Sequence, residues 1–403
     1  MPETTDVKRK LSRYLRPLYI AAFFQSFVLW YSIEKLFMQR IGFDNTGIGF
    51  MVALYSVVML VVETPSGILA DRWSRKGVLI LASICLALSG VVGGSSHSPS
   101  TYLICAVFWG AFFACYSGMY DTMVYDSIAE QAPGNKLFDY LYGRIQFMDS
   151  AGLVVGGLAG GLIGQVVNLR TDYFLSVPLA LIPVAALLYF KEPRLHKLHA
   201  VVPITRQIKD TFRAVLRKRS LVPVLMVLIT RGVIIYCIYE FSQLWLLALH
   251  TQTAYYGVAN AILLVSVGLG GVMADRLHLS RFVPMLATLG FIIIGAIGLI
   301  VLRTTAWVVL AQLAFATGLI SVYVIFSRVL HDNLAPSIRA GAASATSTIG
   351  RFFIIPTALL LGYISQKYSV YTAAYILLAL ALVMSGFVIM VAQRDNRTGL
   401  EAK

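Results

Sequence analysis

Charged residues are scarce in this chain. Asp, Glu, Lys and Arg make up 13% of its 403 residues, against about 25% in an ordinary soluble domain. Acidic groups are the rarest, 19 against 33 Lys and Arg. With 58% apolar residues and a mean hydropathy of +0.76, the composition excludes a soluble globular domain. Cysteine is also sparse. Cys85, Cys105, Cys115 and Cys237 lie inside apolar runs with no CxxC or metal spacing, so neither a disulfide framework nor a metal centre is expected. The six histidines are scattered, and only His331 adjoins a carboxylate, Asp332. The sequence has no zinc or nucleophile motif and no Gly-x-x-x-x-Gly-Lys loop. That argues against a multi-span membrane enzyme and against ATP drive. No cofactor is expected.

Long apolar runs fill the chain instead. Between charged or Pro/Gly breaks they fall at about 15–38, 46–69, 77–96, 101–129, 140–165, 172–190, 221–249, 255–276, 282–301, 305–331, 338–365 and 370–392. Each is long enough to cross a ~30 Å hydrocarbon core, which predicts twelve transmembrane helices, six in each half. The first run follows Lys8-Arg9-Lys10, Arg13 and Arg16. This resembles the charged start of a signal peptide, but no small-residue cleavage site follows and the run is too long. It is expected to remain as the first span.

The net charge of +14 reads as topology rather than as affinity for nucleic acid. With the amino terminus placed in the cytoplasm, most Lys and Arg fall on cytoplasmic segments. Only Arg40, Arg170, Arg303 and Lys367 reach the opposite face. That asymmetry sets orientation in a multi-pass protein of the cell membrane, and it makes both termini cytoplasmic. Residues 191–220 break the apolar rhythm with a basic stretch ending in Arg217-Lys218-Arg219. There Ile204, Ile208, Phe212, Val215 and Leu216 share one helical face. An amphipathic helix on the anionic inner leaflet fits, acting as an anchoring linker or as a regulatory or partner-binding segment. The domains expected are a bundle over 1–190, this linker over 191–220, and a bundle over 221–403.

Internal repetition sharpens the reading. Gly67-Ile-Leu-Ala-Asp71-Arg72, at the turn between two apolar runs, recurs as Gly271-Val-Met-Ala-Asp275-Arg276. A chain whose second half repeats the first predicts an all-α membrane protein of two pseudo-symmetric six-helix bundles, a carrier working by alternating access. Asp126 likewise has a counterpart in Asp332, and Gly143-Arg144 one in Gly350-Arg351. Two ion pairs follow, Asp126–Arg144 and Asp332–Arg351, either locking helical hairpins or breaking as a gate. Gly152, Gly156, Gly157, Gly160, Gly161 and Gly164 in the fifth span allow close helix approach, for tight packing or for sliding.

At this point the residues resemble the major facilitator superfamily. Its signature between the second and third spans is similar to Gly67-x-x-x-Asp71-Arg72-x-x-Arg75-Lys76, with Ser74 where glycine is usual. Glu63-Thr-Pro65-Ser-Gly67 and Asp121-Thr-Met-Val-Tyr125-Asp126-Ser127 look like a bacterial, drug-efflux-like subgroup. Pro336-Ser-Ile-Arg339-Ala-Gly-Ala-Ala-Ser344 resembles the start of the eleventh span. The Arg-x-x-Gln-Gly pattern of many drug antiporters and the Gly-Pro pair of their fifth span are absent. The resemblance covers nearly the whole chain but does not specify a substrate. It implies that Asp71 faces a helix amino terminus near Arg339 and latches the outward-facing state. It also implies that spans 1, 4, 7 and 10 line a central cavity. These carry Trp30 and Tyr31; Trp109, Tyr116 and Tyr120; Tyr236 and Tyr239; and Tyr323. Aromatic walls with few charges suit amphipathic, often cationic, molecules.

A charge near the bilayer centre costs about 2.5–3.5 kcal/mol or more, so each needs a partner or a wet cavity. Ion coupling needs a carboxylate that takes up a proton when dry, which an adjacent Arg opposes. Asp121 is the first choice, about 13 Å deep in the fourth span. Glu34 and Glu240 come next, with Glu34 discounted because Lys35 beside it can snorkel. Glu63 falls near the gate formed by Gly67, Asp71, Arg72 and Arg75. Arg231, near mid-depth in the seventh span, either pairs with Asp121 or Glu240 or clamps an anionic substrate. The leading expectation is a monomeric carrier whose partners are a small-molecule substrate, protons and membrane lipids. It would expel small amphipathic compounds by proton antiport. The alternative is proton-coupled symport of an organic anion.

Overall fold

The computed structural model describes residues 2–132, 137–193, 221–275, 282–334 and 336–398, with the backbone alone for 2–6, 282–283, 336–345 and 395–398. Residues 194–220 of the expected linker, Arg276 and the side chain of Arg339 therefore lie outside the described residues. Fifteen α-helices and one 3₁₀ turn make up the described chain, as lipid requires of a backbone that must satisfy its own hydrogen bonds.

The amino-terminal helices are α1 (Pro2–Tyr14), α2 (Arg16–Ser26) and, after a 3₁₀ turn at Leu29–Ile33, α3 (Glu34–Arg40). They are followed by α4 (Asn45–Arg72), α5 (Arg75–Ser95), α6 (Pro99–Tyr116), α7 (Met119–Gln131), α8 (Phe138–Val166) and α9 (Leu169–Tyr189). The second half holds α10 (Val222–Ala248), α11 (Ala254–Asp275), α12 (Phe282–Val301), α13 (Thr305–Asp332), α14 (Pro336–Lys367) and α15 (Val370–Thr398). Among the described residues eleven helices are long and apolar enough to cross a membrane, with α6 and α7 counted as one. The twelfth expected span, the first, is split between α2, the 3₁₀ turn and α3. The helices form two six-helix bundles.

Short polar turns with side-chain caps join the helices. Ser74 Oγ accepts the Gly77 N–H at 2.9 Å to start α5, and Asn168 Oδ1 accepts the Thr171 N–H at 2.9 Å to start α9. Each cap satisfies a donor that the first helical turn leaves open.

Two expected spans are interrupted. The first is one apolar run in the sequence, but α2 ends at Ser26 and Phe27 takes ψ 71°. The fourth stops at Tyr116 and restarts at Met119 through Gly118, whose φ of +72° a side-chain-bearing residue rarely adopts.

The chain divides into two compact units. One comprises 1–43, 54–201 and 252–261, and the other 44–53, 202–251 and 262–403. Between helices in lipid, close packing and hydrogen bonds replace the hydrophobic drive. In the first unit the α8 glycines serve two neighbours. A Cβ on Gly152 would lie 2.2 Å from the Phe23 carbonyl oxygen, and one on Gly160 would lie 1.8 Å from that of Leu29. On the other face, a Cβ on Gly257 at the start of α11 would come within 2.3 Å of the Gly157 oxygen. The second unit repeats that contact: Gly49 at the start of α4 would carry a Cβ 2.9 Å from the Gly362 Cα of α14. Nearby, Asn45 Nδ2 donates to Ser365 Oγ at 3.2 Å. Buried polar groups tie the second unit's core as well. Trp245 Nε1 donates to the Leu299 carbonyl at 2.8 Å, and Gln312 Nε2 to that of Ser242 at 3.1 Å.

Candidate functional site

Both helix breaks of the first unit meet at one carboxylate. Asp149 is the twelfth residue of α8, about 17 Å along that helix. Its Oδ1 accepts hydrogen bonds from Ser26 Oγ, the last residue of α2, and from the Tyr116 hydroxyl, the last of α6. No Lys or Arg lies within ion-pair distance of it among the described residues. A second polar chain runs alongside. The Tyr120 hydroxyl donates to Gln25 Oε1 at 2.5 Å, and Gln25 Nε2 donates to Ser83 Oγ at 2.7 Å and to the Leu79 carbonyl at 3.0 Å. Half-helix ends facing a polar group are a recurring way to hold an ion or a polar substrate inside a membrane.

Aromatic rings wrap this junction. Tyr173 stacks on Trp30 at 5.0 Å between centroids, and Trp30 meets Trp109 at 4.6 Å. The ladder continues through Phe112, Tyr116 and Tyr120, with steps of 5.3, 5.5 and 5.4 Å. Tyr31 approaches Trp109 at 6.1 Å. Trp30, Trp109 and Tyr120 are buried, whereas Tyr31 and Tyr116 are half-buried. Of the aromatics expected to line a cavity in this half, the first three pack the interior of the unit. The other two keep an open side.

At the end of the unit that carries α1, Arg75 bridges two carboxylates. Its Nη1 pairs with Asp126 Oδ2 and its Nη2 lies 3.4 Å from Asp71 Oδ1. Arg75 and Asp126 are 15% and 16% exposed and Asp71 is 42% exposed, so the Asp126 arm is the better shielded. Glu192 seals the start of α5, accepting the N–H groups of Arg75 at 2.6 Å and Lys76 at 3.2 Å and the Ser74 hydroxyl at 2.5 Å. A carboxylate there complements the positive end of the helix dipole.

The family model for the Major Facilitator Superfamily matches residues 17–355. The chain belongs to this superfamily. It is 22% identical to the quinolone resistance protein NorA of Staphylococcus aureus over 414 aligned residues, covering 94% of this chain and 98% of NorA. A shorter match, 23% over 146 residues, links 36% of the chain to 28% of the puromycin resistance protein pur8 of Streptomyces alboniger. Among solved structures, the nucleoside transporter NupG superposes with a TM-score of 0.72 at 16% identity, covering 96% of this chain and 98% of that one. A D-xylose–proton symporter gives 0.67 at 16%, covering 93% and 96%. At such identities the superpositions establish the fold. The protein is thus a multi-pass membrane transporter of the major facilitator superfamily.

Several expected contacts of this transporter need correction. Asp126 does not pair with Arg144; Arg75, arriving from the start of α5, takes its place. Arg144 instead lies over the Tyr19 ring, 4.9 Å from its centroid. Asp332 is exposed and forms no ion pair with Arg351. Lys35 does not snorkel: it is 1% exposed, Glu34 is 2% exposed, and the two pair with each other. The Tyr102 hydroxyl donates to Glu34 Oε1 at 3.0 Å and lies 2.8 Å from the Tyr173 hydroxyl. Burying the two charges together neutralises the lysine where water cannot reach it.

The remaining expected residues occupy separate places. Asp121 stands in the first turn of α7, half-buried, and its Oδ1 accepts the Thr122 N–H at 2.9 Å. Glu63 and Gly67 are half-buried on α4, Arg72 and Asp275 are exposed, and Glu240 is buried on α10. Arg231 donates Nε to the Leu319 carbonyl at 3.2 Å and lies over the Tyr323 ring. Among the described residues of its own unit it pairs with no carboxylate, so the expected partnership with Glu240 is absent. Tyr236 and Tyr239 are half-buried on α10, and the Tyr239 hydroxyl lies 3.3 Å from Ser266 Oγ. Sequence reasoning passed over Asp149 as a coupling group, and it passed over Gln25, Ser26 and Glu192 altogether. The Ser117-Gly118 pair inside an apolar run was the available sign of a broken helix.

Proposed function

We propose that this transporter exports small amphipathic compounds in exchange for protons, with α1 on the cytoplasmic side. The observation that carries the reading is Asp149, a carboxylate inside a span, held by two hydroxyls where two interrupted helices meet beside aromatic rings. A charge at that depth is costly without a counter-charge. A proton or a cationic substrate neutralises it, and competition between the two couples their opposite movements. Asp121, half-buried at the start of α7, is the second candidate for the proton. The resistance named in NorA and in pur8 supports aromatic, amphipathic substrates.

Proteoliposomes with an imposed pH gradient test this, using a quinolone, puromycin and a lipophilic cationic dye. Wild type is expected to accumulate compound when the lumen is acidic. Asp149→Asn loses that gradient-driven accumulation while retaining counterflow. Accumulation only with an alkaline lumen would replace antiport by symport. Movement indifferent to the gradient would remove proton coupling. If Asp121→Asn abolishes accumulation and Asp149→Asn does not, the proton belongs at Asp121.

A further inference from the structure

We infer that Arg231 is the binding site for a monoanionic carboxylate on those transported molecules that carry one, so that the substrate class extends from cationic compounds to apolar, flat bodies bearing one acid group. This rests on the reading of the chain as a small-molecule carrier and does not depend on the coupling ion. Arg231 is the tenth residue of α10, a helix of 27, and so lies about 14 Å from its start. An arginine side chain, roughly half that long, cannot carry its charge from there to the water beyond the helix end.

A guanidinium has five N–H donors in a planar fork. Here Nε is used by the Leu319 carbonyl of α13 at 3.2 Å. One face of the plane is covered by Tyr323, with 4.5 Å from the guanidinium carbon to the ring centroid. Among the described residues the Nη donors have no acceptor and no carboxylate lies within ion-pair distance. The nearby Tyr239 hydroxyl is engaged with Ser266 Oγ. The contacts to Leu319 and Tyr323 therefore orient the plane and leave its double-donor edge unmatched. That edge fits the two oxygens of a carboxylate.

Two further facts narrow the ligand. Tyr323 is 45% exposed, so its ring offers an open apolar surface beside the guanidinium. No other Lys or Arg occurs on α10. On α13 the only Lys or Arg is Arg328, more than a turn beyond Tyr323. The one guanidinium that these two helices place here answers a single negative charge, which favours a carboxylate over a doubly charged phosphate.

The test is binding of 2-naphthoate and its methyl ester to the purified protein in nanodiscs, read by tryptophan fluorescence, with inorganic phosphate as a competitor. Wild type is expected to bind the acid roughly tenfold to a hundredfold more tightly than the ester, the range of a charge-assisted hydrogen-bonded pair. Arg231→Gln brings the two to equal affinity. Arg231→Lys, which keeps the charge without the fork, keeps a reduced preference and serves if the Gln variant fails to fold. Equal affinity in wild type, no binding of either compound, or a preference that survives Arg231→Gln would overturn the site. Displacement of 2-naphthoate by phosphate at comparable concentration would overturn the monoanion assignment. The readout needs no gradient, so a failed proton-coupling experiment and a failed anion site remain distinguishable.

Discussion

The residue that decides the geometry of the α1 end is Arg75. Two carboxylates compete for it, and its short reach from the first turn of α5 brings it to Asp126 and Asp71 together. Arg144, on α8 and three helices on from the signature in sequence, finds tyrosine rings instead. Repeat counting alone could not foresee this, because it places residues on helices without saying which neighbour arrives first. Charge-assisted hydrogen bonds of shielded groups contribute about 1.5–3 kcal/mol each. Arg75→Ala should therefore lower the unfolding temperature in detergent by several degrees, and Asp126→Asn by a similar amount. Because both remove one interaction, the double variant should fall little further. Additive losses would mean that the Arg75–Asp126 contact contributes nothing to stability.

At the scale of the element, number and order of the spans were legible in the sequence, since twenty-residue apolar runs dictate helices by length alone. The interruptions were not legible in hydropathy, and Ser117-Gly118 was the one sign of them. Hydropathy is continuous through Phe27 and through Ser117-Gly118, and what stops the helices is tertiary: Ser26 and Tyr116 turning to Asp149, and α8 lying close against the first span. Glycine makes that closeness possible. At Gly160 an added methyl would meet the Leu29 carbonyl oxygen at 1.8 Å, a backbone atom that cannot swing aside. Gly143, near the start of the same helix, has open space around it. Gly160→Ala should destabilise the protein by at least the 1–3 kcal/mol of an overpacked core. Gly143→Ala should be neutral or stabilising by up to about 1 kcal/mol, the helix-propensity difference. Comparing the two unfolding temperatures in one detergent checks the pair. Equal effects would show that α8 is free to move off the first span.

For the whole molecule, the basic excess and the fold must tell one story about sidedness. In the first unit the Tyr14 hydroxyl reaches the Lys191 carbonyl, and Glu192 reaches Ser74 and Arg75. The amino-terminal helix, the signature turn and the chain leaving α9 thus share one end, together with most of that unit's Lys and Arg. At the other end Arg170 donates to the Gly94 carbonyl at 2.7 Å and lies 2.9 Å from His97 Nδ1. Positive charge is retained on the cytoplasmic side during insertion, so the α1 end should face the cytoplasm. The native cysteines give a quiet background for labelling, since Cys105, Cys115 and Cys237 are buried and Cys85 is half-buried. Arg13 and Ser100 are both exposed, one at each end. A cysteine at position 100 should react with a membrane-impermeant maleimide in intact cells. One at position 13 should react only after permeabilisation. The reverse pattern would invert the topology and, with it, turn the proposed exporter into a carrier whose signature turn faces outward; equal reaction at both would mean that the two ends are not on opposite sides of the membrane.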